Sequence, residues 1–353
     1  MPCAFTHHND RDELRQIQQS FSASPKFLYF YLSIKIELDR LYPGAELDLY
    51  SCCSGNGTYW FMSKRFEYVE LNEVGLAYEG EFDAEQFTKA FAMFLDVSNI
   101  FPSPILFVGE KMLVDEMEKF LQNRPHNFSG SAHPTLVFYM TEAQMEAVKN
   151  VELPQLPDGY EIDVEAAVQN LIVLLQSDSS EDVDDYDESD DDEEETWAED
   201  AVIQGSFTFA MECGPHIDVQ VWSADPLKDS ETITSHWRHA KKGDIEETRT
   251  KLTCLPSSCI RYQGKPVAFE MMSQSGSLNH LFVVEEHRRK GLGQIVELDL
   301  SQKAIRFGLK VCKYVEPFNK SLIDSTTRSP YWTRAKQDNG DDLINVYYVL
   351  RFE

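Results

Sequence analysis

The chain has 353 residues, room for two domains of ordinary size, and its 42% hydrophobic and 12% aromatic content describes a core-forming protein rather than a disordered one. Its net charge is −28, but residues 178–200 alone hold fifteen Asp or Glu and no Lys or Arg, and setting them aside leaves −13. Neither figure supplies the basic surface that nucleic acid requires, and no run of eighteen apolar residues is present to span a membrane.

The first thirteen residues lack an apolar core and are too acidic for an organellar transit peptide, so a cytoplasmic chain is expected. Seven cysteines (3, 52, 53, 213, 254, 259 and 312) show no CxxC pair and no zinc-ligand spacing, which predicts free thiols and no metal. Up to about residue 152 the pattern alternates strand and helix. Strands are predicted at 46–50, 58–63, 68–77, 104–108 and 135–139, and helices at 83–95, 111–121 and 141–148. Asp83 can cap the first helix, and Phe87, Phe91 and Phe94 then share one face as core. This half is expected to be an α/β domain, 1–152, without recognisable chemistry.

A connecting region, 153–214, follows. It opens on the turn-rich Leu153-Pro154-Gln155-Leu156-Pro157-Asp158-Gly159 and continues with a predicted short apolar helix at 164–175. Twelve of the fifteen residues from 181 to 195 are carboxylates, a composition that predicts a disordered, solvated linker. Ser179 and Ser189 each precede an acid by three positions. That makes segment 178–200 a candidate for a kinase or a protein partner.

From 215 the pattern sharpens. A strand is predicted at 219–222, helices at 229–240 and 246–252, and strands at 259–262 and 265–272. A Ser275-Gly276 turn leads to the strand Leu278-Asn279-His280-Leu281-Phe282-Val283-Val284, a helix at 292–307 and a strand at 309–315. Final strands at 331–335 and 343–351 are joined around Asn339-Gly340, a hairpin dipeptide. Between strand and helix stands Arg288-Arg289-Lys290-Gly291-Leu292-Gly293. Two glycines and three cations at a helix N-terminus make an anion site, because unblocked N–H groups and the positive end of the helix dipole meet a ligand that glycine lets approach. The dinucleotide fingerprint would need glycine at Val296 and a P-loop would need Gly-Lys-Ser/Thr, so neither applies.

This segment resembles the acyl-CoA motif of the GNAT acyltransferases, R/Q-x-x-G-x-G/A. Residues 237–332 further resemble the glycine N-acyltransferase-like branch, through Trp237, Leu255-Pro256-Ser257-Ser258-Cys259, Gly264-Lys265-Pro266-Val267-Ala268-Phe269 and Glu286-His287-Arg288. The resemblance implies a C-terminal GNAT domain, 215–353, with a central, mostly antiparallel splayed sheet flanked by helices. The whole is then a mixed α+β chain whose N-terminal domain is a candidate degenerate copy. The activity implied is acyl-CoA-dependent N-acylation of a small-molecule amine, with acyl-CoA or acetyl-CoA as donor. Arg288, Arg289, Lys290, Gly291, Leu292 and Gly293 would take the pyrophosphate. Leu281, Phe282, Val283 and Val284 would bond pantetheine and polarise the thioester carbonyl, and Asn319 matches the CoA-contacting asparagine.

The branch's glutamate base falls at Ser277, which cannot act as one, so replacements are sought by geometry. A two-residue turn at Ser275-Gly276 pairs Glu270 with Leu281 and Met271 with His280. It puts Glu270 on the face of Asn279 and Leu281, with His280 on the other. Only one of them can point easily at the amine, and an ordinary imidazole pKa favours His280. The superfamily's usual proton-donating tyrosine falls at Thr326 or Thr327, so either Tyr331 reaches in or the thiolate leaves unaided. The alternative function is a CoA-binding or interaction module without catalysis.

Overall fold

The computed structural model describes residues 4–42, 44–66, 71–124, 128–162, 224–237, 240 and 243–352. The helix expected at 164–175, the acidic segment 178–200 and the strand at 219–222 lie outside the described residues. The first half runs β1 (Ala4–His8), α1 (Arg11–Ser20), α2 (Leu28–Leu38), β2 (Ala45–Ser54), β3 (Gly57–Phe66), β4 (Asn72–Gly80), α3 (Ala84–Ser98), β5 (Ile105–Glu110), α4 (Lys111–Gln122), β6 (Phe128–Tyr139) and α5 (Glu142–Lys149). The second runs β7 (Tyr160–Ile162), α6 (Pro226–Ser235), α7 (Asp244–Cys254), β8 (Ser257–Tyr262), β9 (Lys265–Met272), β10 (Leu278–Val283), α8 (Leu292–Arg306), β11 (Cys312–Val315), α9 (Lys320–Arg328), β12 (Thr333–Arg334) and β13 (Ile344–Phe352). Among the described residues the order strand, two helices, three strands, helix, strand, helix, strand thus occurs twice.

Local chemistry sets many of these ends. Asp10 accepts from the N–H groups of Asp12 and Glu13 to start α1, Asp83 caps α3, and Thr141 and Gln144 form a reciprocal capping box on α5. In the second half, alternation gives each strand two core faces. Cys259, Phe269 and Met271 pack towards Ile233 of α6 and Leu252 of α7, while Ile260 and Ala268 pack towards Leu292, Ile295 and Val296 of α8. Each fully buried side chain of this size contributes roughly 1.5–3 kcal/mol.

Among the described residues all strands join one sheet in the order β1-β2-β3-β4-β5-β13-β6-β11-β10-β9-β8-β7, with β12 on β6. The fold is therefore mixed α/β with a mostly antiparallel sheet flanked by helices; among the described residues only β4–β5 and β10–β11 pair in parallel. The halves exchange strands. β13 lies between β5 and β6 of the first half, whereas the end of β6 lies between β11 and β12 of the second. The backbone pairing therefore crosses the boundaries expected at 152 and 215.

The expected turn at Asn339-Gly340 closes a short hairpin, in which Gln337 N–H donates to Asp341 O at 2.9 Å, Leu343 N–H donates to Ala335 O at 3.0 Å and Lys336 bridges Asp342; beyond it β12 and β13 lie end to end along one edge of β6. One sequence expectation needs correction: the thiols are not all free, since Cys53 and Cys312 are but Cys52 is disulfide-bonded. Neighbours on a strand point to opposite faces, so Cys52 is turned inward and Cys53 outward, and the two cannot bond each other. Among the described residues, no helix is long and apolar enough to cross a membrane.

Candidate functional site

The site is organised around an opening in the sheet. β10 and β11 meet in register only at Leu278 opposite Lys313, and beyond that point one edge of β10 is unpaired among the described residues. In the first half, by contrast, β4 and β5 stay paired from Asn72 opposite Ile105 to Leu76 opposite Gly109. On its other edge β10 is bonded to β9, and the Val284 N–H donates to Val267 O at 2.9 Å. Strand alternation then turns the Val283 N–H and C=O to the open edge, where Arg288 Nε donates to Val283 O at 2.9 Å.

The connection from β10 to α8 carries the predicted anion turn. Gly291 is the N-cap with φ 79°, and added atoms at its Cβ position would meet nothing within 4 Å, so the turn faces open space. Arg289 also has a positive φ, 62°. Arg288, Arg289, Lys290 and Gly291 are exposed, and Leu292 anchors the helix in the core. The N–H groups of Leu292 and Gly293 open the helix and have no intrahelical acceptor by geometry. A Cβ on Gly293 would stand 3.4 Å from Val283 Cγ2, so this glycine lets α8 start close against β10. Lys290 is held from the side, its Nζ donating to the Tyr160 hydroxyl at 2.6 Å, and that oxygen lies 2.8 Å from His287 Nδ1. Asn319 is the exposed N-cap of α9 and accepts from Leu322 N–H at 3.4 Å.

The hairpin leading into this strand differs from the two-residue turn expected. Ser273 N–H donates to Ser277 O and Gly276 N–H to Ser273 O, both at 2.8 Å, and Gly276 has φ 83°. This is a three-residue loop, Gln274–Ser275–Gly276, whose left-handed last position selects glycine. Its register pairs Asn279, not His280, with Met271. A bulge between Asn279 and Phe282 then inserts one residue, with His280 at φ 63°. Asn279 is thereby moved off the face expected for it.

The bulge sends His280 to the α6–α7 side, against Phe269 (5.9 Å between ring centres) and Trp237 (6.0 Å), with the rings of Phe282 and His236 tilted against each other nearby at 4.6 Å. Its Nε2 is buried and has no hydrogen-bond partner. Burial first, then the charge of Lys251 and the nearness of His236, push the imidazole down to about 4. The expectation of an ordinary imidazole pKa is therefore corrected: this ring is neutral across the physiological range.

Glu270 points the other way, towards α8, and is 3% exposed with Oε2 unpartnered. Burial and the neighbouring Glu297 raise its carboxyl well above the usual range, against the pull of Lys313. These surroundings favour the protonated form of the carboxyl. Around it, Lys313 pairs with Glu297, the Trp332 Nε1–H donates to Glu297 Oε1 at 2.8 Å, and Lys313 Nζ lies 4.2 Å from the centre of the Trp332 ring. Trp332, rather than Tyr331, reaches this cluster; Tyr331 packs on the core that includes Val315 and Trp332. Ser277 is buried, its Oγ 2.9 Å from Ser273 Oγ.

The structure thus gathers Leu281 to Gly293 along one opening, separates His280 from Glu270 by the thickness of the sheet, and leaves Tyr331 in a packing role. Sequence reasoning missed Tyr160, Glu297, Lys313 and Trp332. A glutamate on the inward face of α8 and a tryptophan needing an N–H acceptor were the available signals.

No family model matches the chain. Its fold is similar to that of a Drosophila protein solved by X-ray crystallography, with a TM-score of 0.64 over 98% of each chain at 11% identity. Looser likenesses are to a GCN5-related N-acetyltransferase from Kribbella flavida (TM-score 0.44, 11% identity, 92% of this chain and 95% of that one) and to another from Sphaerobacter thermophilus (TM-score 0.41, 8% identity, 99% and 95%).

Proposed function

We propose that this chain is an acyl-CoA-dependent N-acyltransferase of the GNAT type, of the glycine N-acyltransferase-like kind, acting on the amine of an amino acid or another small molecule. The observation that carries the reading is the juxtaposition of two features. β10 parts from β11 after a single residue pair, and the exposed Arg288–Gly293 turn begins α8 beside that opening. The residues fit a CoA donor. Arg289, Lys290 and the N–H groups at the start of α8 would hold a pyrophosphate, and the outward N–H and C=O of Val283 would meet an amide-bearing pantetheine arm. Acyl-CoA, the donor substrate, supplies the activated acyl group.

On the acceptor side, His280 offers a neutral Nε2 among aromatic walls. With a pKa near 4 it is a weak base towards an ammonium ion, so its role is to accept a hydrogen bond from an amine that arrives neutral, or to pass its proton to water. Titration calorimetry with CoA and several acyl-CoAs tests the donor assignment, and absence of binding at millimolar ligand overturns it. Gly291→Glu, which places bulk and negative charge in the turn, is expected to weaken CoA at least 100-fold, on the order of 3 kcal/mol. Retained affinity moves the site elsewhere.

A second reading, a CoA-binding module without catalysis, is favoured by the buried Ser277, the depressed His280 and the raised carboxyl of Glu270. Tight CoA binding with no thiol release across a broad amine panel selects it.

A further inference from the structure

The β9–β10 hairpin tip is not a free loop but is inserted into the first half of the chain. Lys64 of β3 and Glu73 of β4 form an ion pair of 2.9 Å, with side chains only 4% and 6% exposed. The tip completes this pair. Ser275 Oγ donates to Glu73 Oε2 at 3.1 Å and accepts from Lys64 Nζ at 2.5 Å, and Gln274 Nε2 donates to Glu73 Oε1 at 2.8 Å. From α2, the Tyr29 hydroxyl also donates to Glu73, at 2.9 Å. Gly276 lies directly on α2, since a Cβ there would come within 2.9 Å of Leu32 Cβ. Burial raises the Glu73 carboxyl, but Lys64 and the hydrogen bonds from Tyr29 and Ser275 outweigh it, leaving the group below its usual range and ionised.

Such a network, with both charges buried and mutually satisfied, is costly to leave half-made, on the order of 3–5 kcal/mol. Its placement matters because β10 has so little else to hold it. One edge is bonded to β9, while the other touches β11 at Leu278 alone, two residues before the His280 bulge.

We propose that Lys64 and Glu73 are positioning residues for the transfer site: by gripping Gln274 and Ser275 they fix the root of β10, and with it the His280 bulge and the opening beside β11. The first half of the chain thereby acts as the template that keeps the reacting strand in register. This deepens the acyltransferase reading and rests on it for its kinetic consequence, but not for the grip itself.

The test uses the full chain carrying Gln274→Ala with Ser275→Ala, which removes the tip's donors and leaves the Lys64–Glu73 pair intact. A second variant, Lys64→Met with Glu73→Gln, removes both charges together. Hydrogen exchange of the amides at 278–283, measured without ligand, is expected to quicken about tenfold in both, from the loss of two or more buried hydrogen bonds, while 292–306 stays unchanged. In acyl transfer, kcat is expected to fall about tenfold, with KM for acyl-CoA rising by less, because the anion turn is untouched while the Val283 edge loosens with β10. Unchanged exchange at 278–283, or a lower melting temperature with kcat preserved, overturns the proposal. A wild-type chain that binds no CoA removes the enzymatic reading separately, and the exchange result still supports or overturns the grip.

Discussion

His280 illustrates how an environment changes what a residue type can do. Its sequence position beside the acyl-CoA segment was legible; its chemistry was not, because the bulge that buries it depends on a hairpin one residue longer than the shortest alternative. A histidine whose folded pKa is about 4, against an ordinary 6.5, stays neutral in the fold while the unfolded chain takes up a proton. Stability from this residue is present above pH 6.5 and is lost as pH falls towards 4, by about 3 kcal/mol in all. Replacing it as His280→Gln is expected to flatten that part of the pH–stability curve in chemical denaturation, and an unchanged slope between pH 6.5 and 4 argues against a buried neutral ring. Glu270 has the opposite sign. Its folded carboxyl is raised, so it costs stability increasingly as pH rises above the ordinary carboxyl range. Glu270→Gln should therefore melt higher than wild type at pH 8, with the gain shrinking towards pH 5. A loss of stability with turnover down 100-fold would instead mark it as an ionised base.

At the level of elements, β10 and α8 were readable because a strand pattern, a glycine turn and a long apolar periodicity followed one another within thirty residues. α2 was not, since Leu28–Leu38 is buried almost all round and so has no amphipathic period to read. The turn at Asn339-Gly340 and the short hairpin it closes were legible but their shared neighbour β6 was not, because a hairpin dipeptide specifies a reversal and not which strand lies beside its arms. The open edge of β10 yields a sharp expectation. Val283→Pro removes an N–H that takes no part in the β9 ladder, so the fold should tolerate it, while CoA affinity falls about tenfold, the value of one buried hydrogen bond. Calorimetry beside circular dichroism checks both halves of this statement; an unfolded variant means that the N–H faces β9, and full affinity means that the edge does not bind the donor.

For the whole molecule, the strand exchange matters more than any one contact. β5 and β6 leave a gap that only β13 fills, and β11 is flanked by a strand from the other half. Fragments 1–162 and 215–353, expressed singly, are expected to aggregate or remain unfolded through their bare strand edges, and to recover a native circular dichroism spectrum when produced together. Independent folding of either piece would show that the exchanged strands are dispensable. The doubled element order was partly visible in the sequence as a repeated α/β rhythm, whereas the exchange was invisible, because Asn345 faces Glu110 and no local pattern reports a partner that distant. That distance has a temporal side. During synthesis the first half emerges with the slot beside β5 vacant and must wait, exposed to other chains, until the strand at 344–352 has been made. A long exposure of bare strand edges before completion, rather than any weakness of the finished fold, is what this arrangement implies for its synthesis.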